Sequence, residues 1–106
     1  MAKWIRIDDI FDIPLWENLQ DAIAHSTHMA LITTNYRGEP ITKHSGCTDF
    51  CAHIRADPKF KKYCQKCDAR AGFEAMNNGR PLIYHCYFSI VDMAIPLVIN
   101  EHYVGA

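Results

Sequence analysis

Apolar positions recur at helical spacing through Leu15, Trp16, Leu19, Ala22 and Ile23, and predict a helix over residues 12–27. Asp12 is placed to cap it, and Pro14 fits the opening turn, where a missing N–H costs little. Trp16 reads as a core anchor, and the charged forms of His25 and His28 would suit the dipole at the helix end. The pattern then changes. Met29 to Asn35 is rich in apolar and β-branched residues and reads as a strand. Asn35, Tyr36, Arg37 and Gly38 form a turn signal, and Pro40 to Lys43 can return as a second strand. This hairpin delivers His44, Ser45, Gly46 and Cys47 to a loop.

Helical spacing resumes beyond that loop. Thr48 or Asp49 can cap a short helix containing Phe50, Cys51, Ile54 and Arg55, and Asp57 with Pro58 opens a longer one. Its apolar face runs through Phe60, Cys64, Cys67, Ala71 and Ala75, while Lys59, Lys61, Lys62 and Lys66 take other faces. Asn77, Asn78 and Gly79 end it. Two strands follow, Pro81 to Phe88 and Asp92 to Ile99. Pro96 lacks a backbone donor, which puts the second at an edge or makes it locally irregular. After a turn at Asn100 and Glu101, His102 to Ala106 begins another strand, and the chain stops where a final sheet strand would be starting. Residues 1–106 read as one domain, with no internal repeat, linker or low-complexity segment.

Composition narrows the class. An apolar content of 49% is enough for a core and excludes a disordered chain. A formal net charge of -1 leaves no positive surplus for nonspecific phosphate binding, so direct nucleic-acid binding is not expected. No stretch approaches the roughly 20 apolar residues that span a bilayer, so no membrane insertion is expected. The N-terminal residues lack an apolar run and a cleavage signature. Five cysteines cannot all close into intrachain disulfides. Together these favour a reducing, cytoplasmic setting and a thiolate site.

Cys64 and Cys67 form a CxxC pair on one helical face, with Cys51 before them and Cys86 after. Four thiolates from a short helix, a long helix and a strand can surround a tetrahedral zinc ion, and soft sulfur ligands would equally suit an iron–sulfur cluster or Cu(I). The bland alternative is a pair of small apolar residues on a buried helix face. Dithiol redox chemistry is a third reading, weakened because the pair lies inside its helix and not at the N-terminus. Cys47 is the outlier, a loop thiol, substitute ligand or oxidation partner for Cys51. His44, His53 and His85 lie beside the cysteine segments, and any one could replace a thiolate. The chain has no HExxH, P-loop, Rossmann glycine fingerprint or GxSxG, so no catalytic residue is assigned.

The chain resembles the PocR-type sensory domain, a PAS-like ligand-binding module of bacterial and archaeal signalling proteins. The resemblance is carried by Asn35 to Thr42 (NYRGEPIT), by Asp49, Phe50, Cys51, Ile54 and Arg55, and by Cys64, Gln65, Lys66, Cys67 and Asp68. It continues through Tyr84, His85 and Cys86 to Asp92, Met93, Ala94, Ile95 and Pro96. It implies an α+β, PAS-like antiparallel sheet with helices packed on one side. The family continues past Gly105, so the resemblance also implies a missing C-terminal strand and an open sheet edge, which would recruit a second copy as a homodimer. Cys51, Cys64, Cys67 and Cys86 match the family's cysteine landmarks and Cys47 does not. Tyr87, Phe88, Ser89 and Ile90 depart from a glycine-leucine pair common there.

The resemblance implies a noncatalytic sensor of a small organic molecule, coupled to a fused or partner output domain. Phe50, Tyr84, His85, Tyr87 and Asp92 are the expected ligand contacts, from family position and local polarity. The alternatives are a zinc-stabilised structural or dimerisation module held by the four cysteines, and a cysteine-based redox or iron–sulfur sensor.

Overall fold

The computed structural model describes residues 6–86 and 88–106. Helices α1 (Ile7–Ile10), α2 (Ile13–Thr27), α3 (Asp49–Arg55) and α4 (Pro58–Asn78) precede strands β1 (Leu82–His85), β2 (Val91–Ala94), β3 (Leu97–Ile99) and β4 (His102–Gly105). The architecture is α+β, as expected.

The helix ends obey the local signals. Asp12 Oδ1 accepts from the Leu15 N–H at 3.3 Å, Thr48 Oγ1 from the Cys51 N–H at 3.2 Å, and Asp57 Oδ1 from the Lys59 N–H at 2.9 Å. Each satisfies a backbone donor left open by the first helical turn. Gly79 closes α4 in the left-handed conformation.

Which face is buried is another matter. Leu15, Leu19 and Ile23 on α2 are exposed, whereas Gln20 and Ala24 are buried. Gln20 is drawn inward by hydrogen bonds. Its Oε1 accepts from Thr33 Oγ1 at 2.7 Å and Thr42 Oγ1 at 3.0 Å, and its Nε2 reaches the Lys43 carbonyl and Ser45 Oγ, both at 2.9 Å. Trp16 holds the same junction, its indole N–H donating to Thr33 Oγ1 at 2.8 Å while its ring stacks on Phe11. This network also explains why the expected hairpin over 29–43 is not a regular ladder. The Gln20 and Thr42 side chains occupy backbone groups a ladder would use, leaving isolated bridges at Leu31–Ser45 and Thr34–Pro40.

The strand expected over Asp92 to Ile99 divides in two. β2 ends at Ala94, β3 begins at Leu97, and Pro96 lies in the break, where it cannot donate and restrains the residue before it. β1 pairs antiparallel with β2, placing Tyr84 opposite Asp92, and β3 pairs antiparallel with β4, with an irregularity at Leu97/Val98. Among the described residues the sheet structure is therefore two small two-stranded sheets, where the PAS-like reading expected one. The last strand does not stand alone: Gly105 bridges Asn35, and Thr34 exchanges backbone hydrogen bonds with Ala106 at 2.8 and 3.2 Å.

Ala71, Ala75 and Ala94 form a small buried cluster, covered by Leu82 and Tyr84. The inner face of α4 is thus built from small residues that let β1 and β2 approach closely. No helix among the described residues is long and apolar enough to cross a membrane.

Candidate functional site

A group of ionisable side chains gathers where the end of α3, the middle of α4 and the β1–β2 pair meet. Arg55, the last residue of α3, points its Nη2 at Asp68 Oδ2 on α4, 3.2 Å away, and both side chains are largely buried. The Tyr84 hydroxyl donates to the other Asp68 oxygen at 3.4 Å. Asp92, opposite Tyr84 in the sheet register, is half-buried on the same side. Burial pushes the Asp68 and Asp92 carboxyls up, and the Arg55 guanidinium opposes that in both. Burial also holds the Tyr84 hydroxyl firmly protonated, with the Asp68 and Asp92 charges adding to the effect. Arg55 Nη1 and His44 Nδ1 are both buried with no hydrogen-bond partner among the described residues. Burial lowers the His44 pKa, and the Arg55 charge lowers it further.

The thiols ring this group without closing into one cluster. Among the described residues the five cysteines form no disulfide, and all are partly buried. Burial raises the Cys64 pKa; Arg55 opposes this, and Asp68, Cys86 and Cys51 reinforce it. Burial likewise raises the Cys47 pKa, with Cys51 adding to it. Among the described residues, no three His, Cys, Asp or Glu side chains converge closely enough to hold a metal ion. The CxxC pair lies well inside α4, away from the helix N-terminus that would stabilise a thiolate. A raised Cys64 pKa works against the redox reading, which needs an accessible thiolate.

The expected ligand contacts separate into groups. Tyr84 and Asp92 are cross-strand partners at the ionic group. His85 is exposed and lines two small adjoining cavities against α4, of about 150 and 110 Å³. Lys66, Cys67, Arg70 and Cys86 share the first with it, and Cys67, Arg70, Leu82 and Tyr84 belong to the second. Phe50 is 54% exposed on α3 and lines neither cavity. Tyr87 lies outside the described residues.

Arg55, Asp68, Lys66 and Arg70 were not among the expected contacts. Asp68 carried a usable signal: it interrupts the Cys64, Ala71, Ala75 stripe at helical spacing, and a carboxylate on an apolar face needs a partner. Arg55 beside the buried Ile54 is that partner. Lys66 and Arg70 gave no such signal, since surface cations on a long helix are ordinary.

The family model for the sensory domain found in PocR matches residues 9–106. The chain is also similar to the regulatory protein PocR of Salmonella typhimurium, 35% identical over 82 residues, which covers 77% of this chain and 27% of that protein. It thus spans about a quarter of that relative's length. No solved structure matches it.

Proposed function

Since the chain belongs to the PocR family of sensory domains, we propose that it is a noncatalytic ligand-binding module that senses a small organic molecule for a regulatory protein. The observation that carries this reading is the family match over residues 9–106, joined to the cavities between α4 and β1 that His85 and Tyr84 line. The ligand contacts His85 and the Tyr84 ring, and Asp92 acts behind Tyr84 by polarising the Asp68–Tyr84 hydrogen bond. Tyr87 completes the ligand set from family position. The signal passes to an output domain, fused or separate, in the reducing cytoplasm.

Pairing of two copies is part of the same reading. Its support is the apolar stripe of Leu15, Leu19 and Ile23, exposed along one side of α2. Size-exclusion chromatography with light scattering is expected to show a dimer, and a concentration-independent monomer would remove that part.

Nuclear magnetic resonance titration of the labelled chain with a panel of short diols, alcohols and carboxylic acids tests the sensing reading. A saturable response at residues around His85 and Tyr84 is expected. No binding by any compound in the panel would overturn it. Elemental analysis of anaerobically purified protein separates the alternatives: stoichiometric zinc favours a structural thiolate clip, and iron with sulfide favours a cluster sensor.

A further inference from the structure

The two cavities between α4 and β1 have unlike ends. Cys67, Arg70 and His85 line both, so the cavities meet along one groove. At one end Lys66 and Arg70, four residues apart on the same side of α4, bring two cations toward His85 of β1. At the other end the walls are Ala71, Leu82 and Tyr84. The Tyr84 hydroxyl is turned away to Asp68, which leaves its ring as an apolar wall.

The Arg70 guanidinium is only partly committed. Its Nε meets Glu74 Oε1 at 3.5 Å, a long contact between side chains 80% and 48% exposed. Such a pair is worth little in water. A guanidinium has five donors, and its two terminal nitrogens match the two oxygens of a carboxylate. Lys66 adds a second positive charge beside it. The acid group Glu74 lies toward the apolar end, so a ligand's anionic end is directed to Lys66 and away from Glu74.

We propose that this groove is the sensory site for a short-chain carboxylate, with the carboxylate held by Arg70 and Lys66 and a short apolar tail laid against Ala71, Leu82 and Tyr84. This rests on the sensing function proposed above and adds the ligand's charge. The groove is small and open to the surface, its two cavities holding about 150 and 110 Å³, which suits a ligand of few heavy atoms.

Butyrate and 1-butanol share a tail and differ in charge, so titrating each into the labelled full chain decides the matter. Butyrate is expected to perturb Lys66, Arg70 and Leu82 saturably, and to bind more tightly than 1-butanol. Arg70→Gln and Lys66→Gln, both changes at exposed side chains, should each weaken butyrate roughly tenfold while leaving the thermal transition in place, as loss of a charge-assisted contact requires. Equal binding of the alcohol and the acid, with no effect of Arg70→Gln, would overturn the charge assignment and leave the sensing function standing. Butyrate shifts mapping outside the groove would overturn the site. Absence of binding by butyrate, with a diol or alcohol from the wider panel still bound, would do the same, and no binding by anything in the panel would remove both proposals.

Discussion

Arg55 Nη2 and Asp68 Oδ2 are 3.2 Å apart, and this contact joins the last residue of α3 to the middle of α4. The two side chains are 19% and 16% exposed, so neither is well solvated. Removing Arg55 leaves a carboxylate facing a half-apolar interior with only the Tyr84 hydroxyl to meet it. Arg55→Met is expected to destabilise the fold by about 2–3 kcal/mol, between the worth of a surface pair and the cost of breaking a buried one. Urea denaturation measures this, and a change below about 0.5 kcal/mol, the level of an ordinary surface substitution, would show that the pair is solvated.

Asp92 makes the opposite prediction. Burial raises its pKa in the folded chain, and the Arg55 charge only partly offsets this. The folded state therefore holds the proton more tightly than the unfolded state does. The contribution of Asp92 to stability is greatest at low pH, and is lost as pH rises through the interval between the unfolded value near 3.8 and the higher folded value. Asp92→Asn should be more stable than the parent at pH 7, with the gain vanishing below about pH 4. Parallel unfolding curves across pH check both halves of that statement.

His44 has the reverse sign. Burial and the Arg55 charge lower its pKa below the ordinary 6.5. The folded state then binds this proton less well than the unfolded state. Stability is intact above about pH 6.5 and falls with acidification until the folded His44 itself takes up the proton. His44→Gln should flatten that part of the stability–pH curve. An unchanged slope in the variant would assign it to another group.

Gly38 is held at φ +78°, where an L side chain is strained. A Cβ there would overlap the Gln65 carbonyl oxygen and lie 2.9 Å from the Ala69 nitrogen, both backbone atoms of α4. The Asn35–Glu39 turn thus rests directly on the helix that carries the candidate site. Gly38→Ala is expected to cost about 2–4 kcal/mol, combining a positive-φ penalty with backbone displacement. Thermal unfolding reads the stability loss. Changed amide chemical shifts at Lys66 and Arg70 would show that the turn helps position the groove.

Much of the local structure was legible residue by residue. Asp12 and Asp57 cap the helices they were expected to cap, Thr48 is the one of the two candidates, Thr48 and Asp49, that caps α3, and Gly79 ends α4. Pro96 marked the irregularity that divides β2 from β3. The cysteines were a weaker guide. Spacing put Cys51, Cys64, Cys67 and Cys86 in one neighbourhood, but convergence on a metal depends on side-chain directions from three elements, and those ligands do not converge among the described residues.

The sequence by itself determined where helices begin and end, because a cap or a positive-φ glycine acts within a few bonds of itself. It also determined the family, through landmarks whose order along the chain needs no coordinates. Only the tertiary structure decided that Gln20 faces inward while Leu15, Leu19 and Ile23 face out. The apolar stripe on α2 favoured burial, but Gln20 meets Thr33, Thr42, Lys43 and Ser45, all distant in sequence, and its hydrogen bonds are made only once those segments fold over it. The groove between α4 and β1 is decided in the same way. Lys66 and Arg70 are ordinary surface cations until the chain reverses after Gly79 and lays β1 along α4, setting His85 against them.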